Sequence, residues 1–381
     1  MEPFLNLLLR CLGCLPTPQS QTITTSGAAN INPYIGIETL LKSVESGAIA
    51  VLKGTWLVDL HKRGGRLSRR QDIPPDGFWS ADELRKVALA LGDDFGVLFV
   101  ALSYRWLTKF RKGRDPDHPD PDAFHLGIVA SVAELYLNLS SACRHGKGYP
   151  SQLTAAFRKH GLGDPDFALF WDFGSLHQPP RTDAEMKLFD QGMDLSPVWF
   201  GHARTVVWIQ PELPEGFEGV AYASSGWCYF EAAISSAMKP GFQRLDLAKR
   251  TKLAMECAYG PDEPGNPDAM LACVCARRRP PPPSPEQVRR LLQQEKRFTD
   301  PSDWEKVAML YAAFFEQITK FDALVFQGLK WVEADVVQLC EVLPRFVALR
   351  SLDLSKNMIG PEGVKALALC IAVNSSIIQL E

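Results

Sequence analysis

Between Phe321 and Glu381 the chain repeats itself at a spacing of 28 residues. Phe321, Leu349 and Ile377 align, and so do Leu324, Leu352 and Leu380. Phe326 aligns with Leu354, Leu329 with Asn357 and Trp331 with Ile359. In the helical half of the unit, Val336 pairs with Val364, Leu339 with Leu367 and Leu343 with Ile371. A fixed period of this length constrains the fold more than any other feature of the sequence. Each unit carries an apolar face that only a neighbouring unit can bury. About two units are present and a third is opening at Glu381. The expectation is an unfinished array whose open end needs more chain or a partner.

The rest of the 381 residues reads as a different architecture. At roughly 150 residues per domain the chain holds about two and a half domains, and the repeat is the half. Residues 1–35 read as a flexible segment, and 36–92 as a helical region with apolar positions at Leu40, Leu41, Val44, Ile49, Val51 and Leu52. Ser80-Ala-Asp-Glu83 is a capping box that opens a helix through Ala90. From 93 to 275, buried-strand runs alternate with helical stretches. The runs are Phe95–Leu102, Phe167–Phe173, Thr205–Ile209 and the short Gln243–Leu247. The helical stretches are Ala123–Cys143, Thr182–Met193 and Trp227–Met238. This order dictates an α/β domain with a parallel sheet and helices on both faces. Residues 276–302 are a proline-rich linker and helix, in which Arg277–Pro285 reads as a semi-rigid polyproline spacer. Residues 303–381 are a helix and the partial repeats.

Charge and composition exclude several classes. The net charge of −3 is far from a nucleic-acid-binding polycation. No apolar run approaches the ~18 residues of a transmembrane helix. Nine cysteines, scattered and odd in number, are too few for a disulfide scaffold and lack zinc-site spacing. They point to reduced thiols and a cytoplasmic protein. Cys11 and Cys14 leave S-acylation as a route to membrane association. The acidic loop with Asp115, Asp117, His118, Asp120 and Asp122 lacks the glycine turn and terminal glutamate of a calcium loop, so no metal is expected. No GxxxxGK[ST] is present, so no ATP-driven switch is expected.

Three segments of the α/β region carry the chemistry. Ala101-Leu-Ser-Tyr-Arg-Trp106 closes the first strand, where ligands of open parallel sheets bind. It offers Ser103, Tyr104, Arg105 and Trp106. Phe170-Trp-Asp-Phe-Gly-Ser-Leu-His-Gln178 places Asp172 just beyond the second strand. Ser175 and His177 lie too close in sequence and lack the strand–turn–helix context of a serine hydrolase, so a hydrogen-bonded turn is expected there. Tyr222-Ala-Ser-Ser-Gly-Trp-Cys-Tyr-Phe-Glu231 starts a helix on which Trp227 and Glu231 are i and i+4, on one face. A carboxylate fixed there can stabilise positive charge developing on a sugar. A lone surface glutamate in a local ion pair is the alternative.

These segments carry a family resemblance. ALSYRW resembles the opening motif of fungal heterokaryon-incompatibility (HET) domains. FWDFGSLHQ resembles the next HET motif, keeping Asp172 and Gln178, with Ser175, His177 and Phe170 where Cys, Asn and Trp are common. YASSGWCYFE is similar to the plant type of Toll/interleukin-receptor (TIR) domain, whose Trp-Cys-x-x-Glu segment carries a catalytic glutamate for NAD cleavage. That glutamate corresponds to Glu231. In the repeat, Leu349-x-x-Leu352-x-Leu354-x-x-Asn357 resembles leucine-rich repeats of the ribonuclease-inhibitor type.

The TIR/HET resemblance spans roughly residues 93–250. It implies a flavodoxin-like α/β domain in a signalling, cell-death or innate-immune protein. It also implies NAD as substrate, with no cofactor, and a homo-oligomer formed through the TIR-like domain. The repeat implies protein partners. Two functions remain open at this point: NAD hydrolysis with Glu231 as the catalytic carboxylate, or a non-enzymatic, self-associating scaffold. A cleft holding Glu231, Ser103 and Arg105 together favours the enzyme. A Glu231 paired to Lys or Arg, or facing away from the cleft formed by Tyr104 and Asp172, favours the scaffold.

Overall fold

The computed structural model describes residues 32–107, 118–139, 151–239, 243–250, 278–373 and 376–381. Cys11 and Cys14 lie outside them, as do Asp115 and Asp117. Helix α1 (Ile37–Glu45) buries Leu40, Leu41 and Val44 at helical spacing. It ends where Gly47 turns at φ +75°, a conformation that glycine takes without strain. Strand β1 (Leu52–Lys53) follows, then α2 (Gly54–Lys62) and α3 (Ala81–Ala90). The Ser80 hydroxyl accepts from Glu83 N at 3.2 Å and opens α3, which is half of the expected capping box; the Glu83 carboxylate pairs instead with Lys53 at 3.2 Å.

The remaining elements of this part are β2 (Phe99–Tyr104), α4 (Phe124–Tyr136), α5 (Gln152–Lys159), β3 (Ala168–Phe170), α6 (Asp172–Ser175), α7 (Asp183–Gly201), β4 (Val206–Gln210), α8 (Gly226–Met238) and β5 (Arg244–Asp246). Five strands form one sheet in the order β1-β3-β2-β4-β5. β3, β2, β4 and β5 run parallel, and β1 lies antiparallel on β3. Every residue of β2 and β4 is buried, which accounts for their unbroken apolar runs. Trp171, Trp199, Trp208, Phe99, Phe167 and Phe170 fill the layers against the sheet.

Two differences from the sequence reading have simple causes. The 36–92 stretch is not only helical, since Leu52 and Lys53 pair with Leu169 and Ala168 as the edge strand. Two residues are too short to leave a period. The first parallel strand starts at Phe99, because Gly92–Leu98 winds as a 3₁₀ helix. An apolar run shows burial and cannot by itself separate a buried turn from a strand.

The C-terminal part contains α9 (Pro285–Gln294), α10 (Asp303–Ile318), β6 (Ala323–Val325), α11 (Glu333–Val342), β7 (Ser351–Asp353), α12 (Pro361–Val373) and β8 (Gln379–Leu380). β6, β7 and β8 form a parallel sheet in that order. Leu324 lies opposite Leu352, and Leu352 opposite Leu380, so the sequence period is the sheet register. Asn357 explains its own place in the pattern. Its Nδ2 donates to Phe326 O at 2.7 Å and Leu354 O at 2.8 Å. Its Oδ1 accepts from Leu329 N at 2.9 Å and Trp331 N at 3.1 Å. One amide satisfies four backbone groups that the turn removes from the ladder.

The proline-rich segment is a strap and not a free spacer. Arg279 is 4% exposed. Its guanidinium donates to Ser236 O at 2.6 Å, to Ala237 O, and to Val325 O at 2.8 Å. The first two are carbonyls of the last turn of α8 and the third belongs to β6. The Arg279 carbonyl accepts from Trp331 Nε1 at 2.7 Å, and Pro283 O accepts from Tyr311 at 2.7 Å. A polyproline backbone leaves its carbonyls unpaired, so they are available to neighbours on both sides.

His202 supplies a pH response. It is fully buried, with Nε2 facing Gly36 O at 3.3 Å and Nδ1 accepting from Arg204 N at 3.2 Å. Burial, then the nearby Lys239, push its pKa down to about 3. In the unfolded chain an imidazole titrates near pH 6.5. Between those values the unfolded state binds more protons. Stability present above about pH 6.5 is therefore lost as pH falls toward 3, by on the order of a few kcal/mol. Urea unfolding across this window should show that slope, and His202→Asn should flatten it. An equal slope in both chains contradicts the assignment.

Candidate functional site

The end of β2 meets the start of α8 at the C-terminal edge of the parallel strands. α8 is held there from outside the α/β part. Gly226 N donates to Arg297 O at 2.9 Å, and Arg297 N donates to Ser224 O at 2.8 Å. A Cβ on Gly226 would lie 1.9 Å from Phe298 Cζ, so only glycine lets Phe298 close over the helix start. Ser225 stands at the N-cap without a side-chain cap bond.

Ser103, fully buried on β2, donates to Glu231 Oε2 at 2.5 Å and shares a hydrogen bond with Tyr222 Oη at 2.6 Å. Glu231 is half-buried, and among the described residues it has no Lys or Arg partner. Burial holds its carboxyl well above the usual range. The Asp172 charge raises it further, while the Ser103 bond opposes both. Asp172 is the second carboxyl. Its Oδ1 accepts from Tyr104 Oη at 2.8 Å and Phe173 N at 2.6 Å, and its Oδ2 from Trp106 Nε1 at 2.8 Å. Burial raises its pKa even against these three donors.

Arg105 is half-buried and donates Nε to Val220 O at 3.2 Å, tying the strand end to the segment before α8. Desolvation lowers its pKa. The Arg105 carbonyl faces His125 Nε2 at 2.9 Å. Ser103, Tyr104, Arg105, Trp106, Asp172 and Glu231 are thus gathered by strand ends and a helix start.

Trp227 is not part of that set. Its indole Nε1 donates to Asp303 Oδ2 at 2.9 Å, so it docks α8 onto α10. The helical wheel explains the correction. Glu231 is flanked on one side of its face by i−4 and on the other by i−3, and the inward neighbour is i−3, Cys228. The buried Cys228 thiol donates to Tyr104 O at 3.2 Å, and burial, then Glu231, push its pKa up.

Tyr222, Cys228 and His125 are contacts that the sequence reading missed. The first two sit inside the YASSGWCYFE segment, where the i, i+3 spacing of Cys228 and Glu231 was the available signal. Ser175 forms the expected turn, its Oγ accepting from Trp171 N at 3.0 Å. In the acidic loop, Asp120 caps α4 through His125 N and Leu126 N at 3.0 and 2.9 Å. Among the described residues no group of His, Cys, Asp and Glu is arranged to hold a metal.

A cavity of about 350 Å³ opens at the same sheet edge, lined by Leu107, Phe124, Pro214 and Phe217 among others. Glu231 does not line it. The arrangement can hold one neutral and one ionised carboxyl close together, with a hydroxyl relay leading from Tyr222 through Ser103. Comparison with known proteins returned no match to a family model, a curated protein or a solved structure.

Removing the Ser103 hydroxyl removes the bond that favours ionised Glu231. Ser103→Ala should raise the Glu231 pKa further and cost about 1 kcal/mol of stability. Infrared titration of the carboxyl C=O band against an E231Q reference reads the first effect. A band that titrates identically in both chains refutes the contact.

Proposed function

We propose that this protein is a TIR/HET-like signalling or immune-type protein that cleaves the nicotinamide–ribose bond of NAD, with Glu231 as the catalytic carboxylate. The observation that carries the reading is Glu231 on Ser103 at the C-terminal edge of β2, without a Lys or Arg to neutralise it among the described residues. The parallel strands, in the order β3-β2-β4-β5 with β1 added antiparallel at the edge, match four strands of the 2-1-3-4-5 flavodoxin-like order, which supports the TIR-like assignment. The register of β6, β7 and β8 supports leucine-rich repeats. Among the described residues no helix is long and apolar enough to cross a membrane; a cytoplasmic site of action is part of the proposal.

The chemistry is that of N-glycoside hydrolysis. Nicotinamide leaves as a neutral base and needs no proton, so the useful form of Glu231 is the carboxylate facing an oxocarbenium-like ribose. Water adds to the anomeric carbon, and the products are ADP-ribose, nicotinamide and a proton. Tyr104 and Trp106 form walls, and Arg105 is the cation within reach of a phosphate.

A second reading, a self-associating scaffold, is favoured by a separate observation. Val347, Met358, Leu369 and Ile378 of the repeat each expose more than half of their surface and are the apolar side chains it offers to a protein partner. In that reading the repeat takes the protein partner and the α/β domain forms the homo-oligomer.

Purified full chain at high concentration should release nicotinamide from NAD, and Glu231→Gln should lower the rate by at least about 100-fold. Because the Glu231 pKa is raised, the carboxylate fraction grows with pH. The rate should therefore climb as pH rises beyond the ordinary carboxylate range. Equal turnover by both chains, or none from either under assembling conditions, leaves the scaffold reading.

A further inference from the structure

Three of the nine cysteines lie among the described residues, and all three are free thiols. Cys228 on α8 is spent on Tyr104 O. Cys340 on α11 and Cys370 on α12 meet each other. The Cys370 thiol donates to Cys340 O at 3.6 Å, and the two thiols are in hydrogen-bond contact. α11 and α12 are the helices of successive repeat units and pack side by side. Cys370 is 8% exposed and Cys340 is half-buried, both against the same apolar core.

A residue that fills one repeat position recurs at 28 residues. Counted that way, Cys340 aligns with Ala368 and Cys370 with Val342. The cysteines are therefore not one position repeated. Each unit contributes a single thiol at a different place on its helix, and the two thiols meet across the boundary between the units.

We propose that Cys340 and Cys370 form a site of reversible oxidation, at which a low-molecular-weight disulfide such as glutathione disulfide joins α11 to α12 through a bond between the two sulfurs. One cysteine, as the thiolate, attacks glutathione disulfide, forms a mixed disulfide and expels the first glutathione. The other cysteine attacks the protein sulfur of that mixed disulfide, forms the Cys340–Cys370 bond and expels the second glutathione. The protein gives up two electrons and two protons, and the two glutathione thiols take them. The sulfurs start in contact and close to about 2.0 Å.

The product suits its surroundings, because a disulfide is uncharged in an apolar contact. The thiolate does not. Burial, then Cys370, push the Cys340 thiol up to about 12, and burial raises Cys370 against the bond from Cys340. Since the thiolate is the nucleophile, the pair reacts slowly at neutral pH and faster as pH rises. Once formed, the bond closes the segment that holds β7 and the Asn357 turn, and it restricts the unfolded chain. The site is separate from Glu231 and does not rest on NAD cleavage.

The test is incubation of the reduced full chain with glutathione disulfide at pH 7 and pH 9. Free thiols are quenched with N-ethylmaleimide while the chain is folded, and digests are mapped by mass spectrometry. A peptide cross-linked through Cys340 and Cys370 should form, faster at pH 9, and dithiothreitol should remove it. Oxidation should raise the Tm by a few degrees, and Cys340→Ala and Cys370→Ala should each lose that rise. Glu231→Gln should cross-link as the parent does, which keeps this result distinct from any loss of NAD cleavage. The proposal is overturned if at pH 9 the two thiols stay reduced or carry only separate glutathione adducts. It is equally overturned if they pair at least as often with other cysteines, or if a folded Cys370→Ala chain gains the same rise in Tm.

Discussion

A single buried guanidinium joins the two sheets of this protein. Arg279 reaches the carbonyls at the end of α8 and the carbonyl of β6 together, and its own backbone oxygen holds Trp331. Burying a guanidinium is costly, and three carbonyl acceptors offset that cost only when all are in place. Two of them are the unpaired carbonyls of a helix C-terminus, where the helix dipole already favours a cation. Phe326 lies under the plane at 4.6 Å and adds a cation–π contact. The position therefore specifies its neighbours: α8 must end there, and so must β6.

The same helix carries the candidate carboxylate. Its first turn is closed by Phe298 over Gly226 and docked through Trp227 on Asp303. Its first two turns present Cys228 and Glu231 to the end of β2. The direction of Glu231 is thus fixed by contacts at either end of the helix, and the Ser103 bond only completes it. Desolvation raises the Glu231 pKa, the Ser103 bond opposes it and the Asp172 charge adds to it, all from placing two carboxyls beside a strand-end hydroxyl.

Much of this was legible in the residues. The alternation of buried runs with helical stretches gave the parallel strands, and the 28-residue period appeared as a sheet register. Ser103, Tyr104, Arg105, Trp106, Asp172 and Glu231 came together because strand ends and helix starts converge at one edge of such a sheet. What failed has physical reasons. The edge strand at Leu52 and Lys53 is too short to leave a pattern. Trp227 was misplaced because i, i+4 spacing says which residues share a face and not which way that face turns. The strap was misread because proline content reports stiffness, whereas its role comes from Arg279, a residue type that composition assigns to the surface.

The fastening of α8 has a mechanical meaning. A helix clamped at its first turn by one part of the chain and at its last turn by another behaves as a shared beam. One continuous apolar core runs through both parts, so removing either would uncover apolar surface of the other.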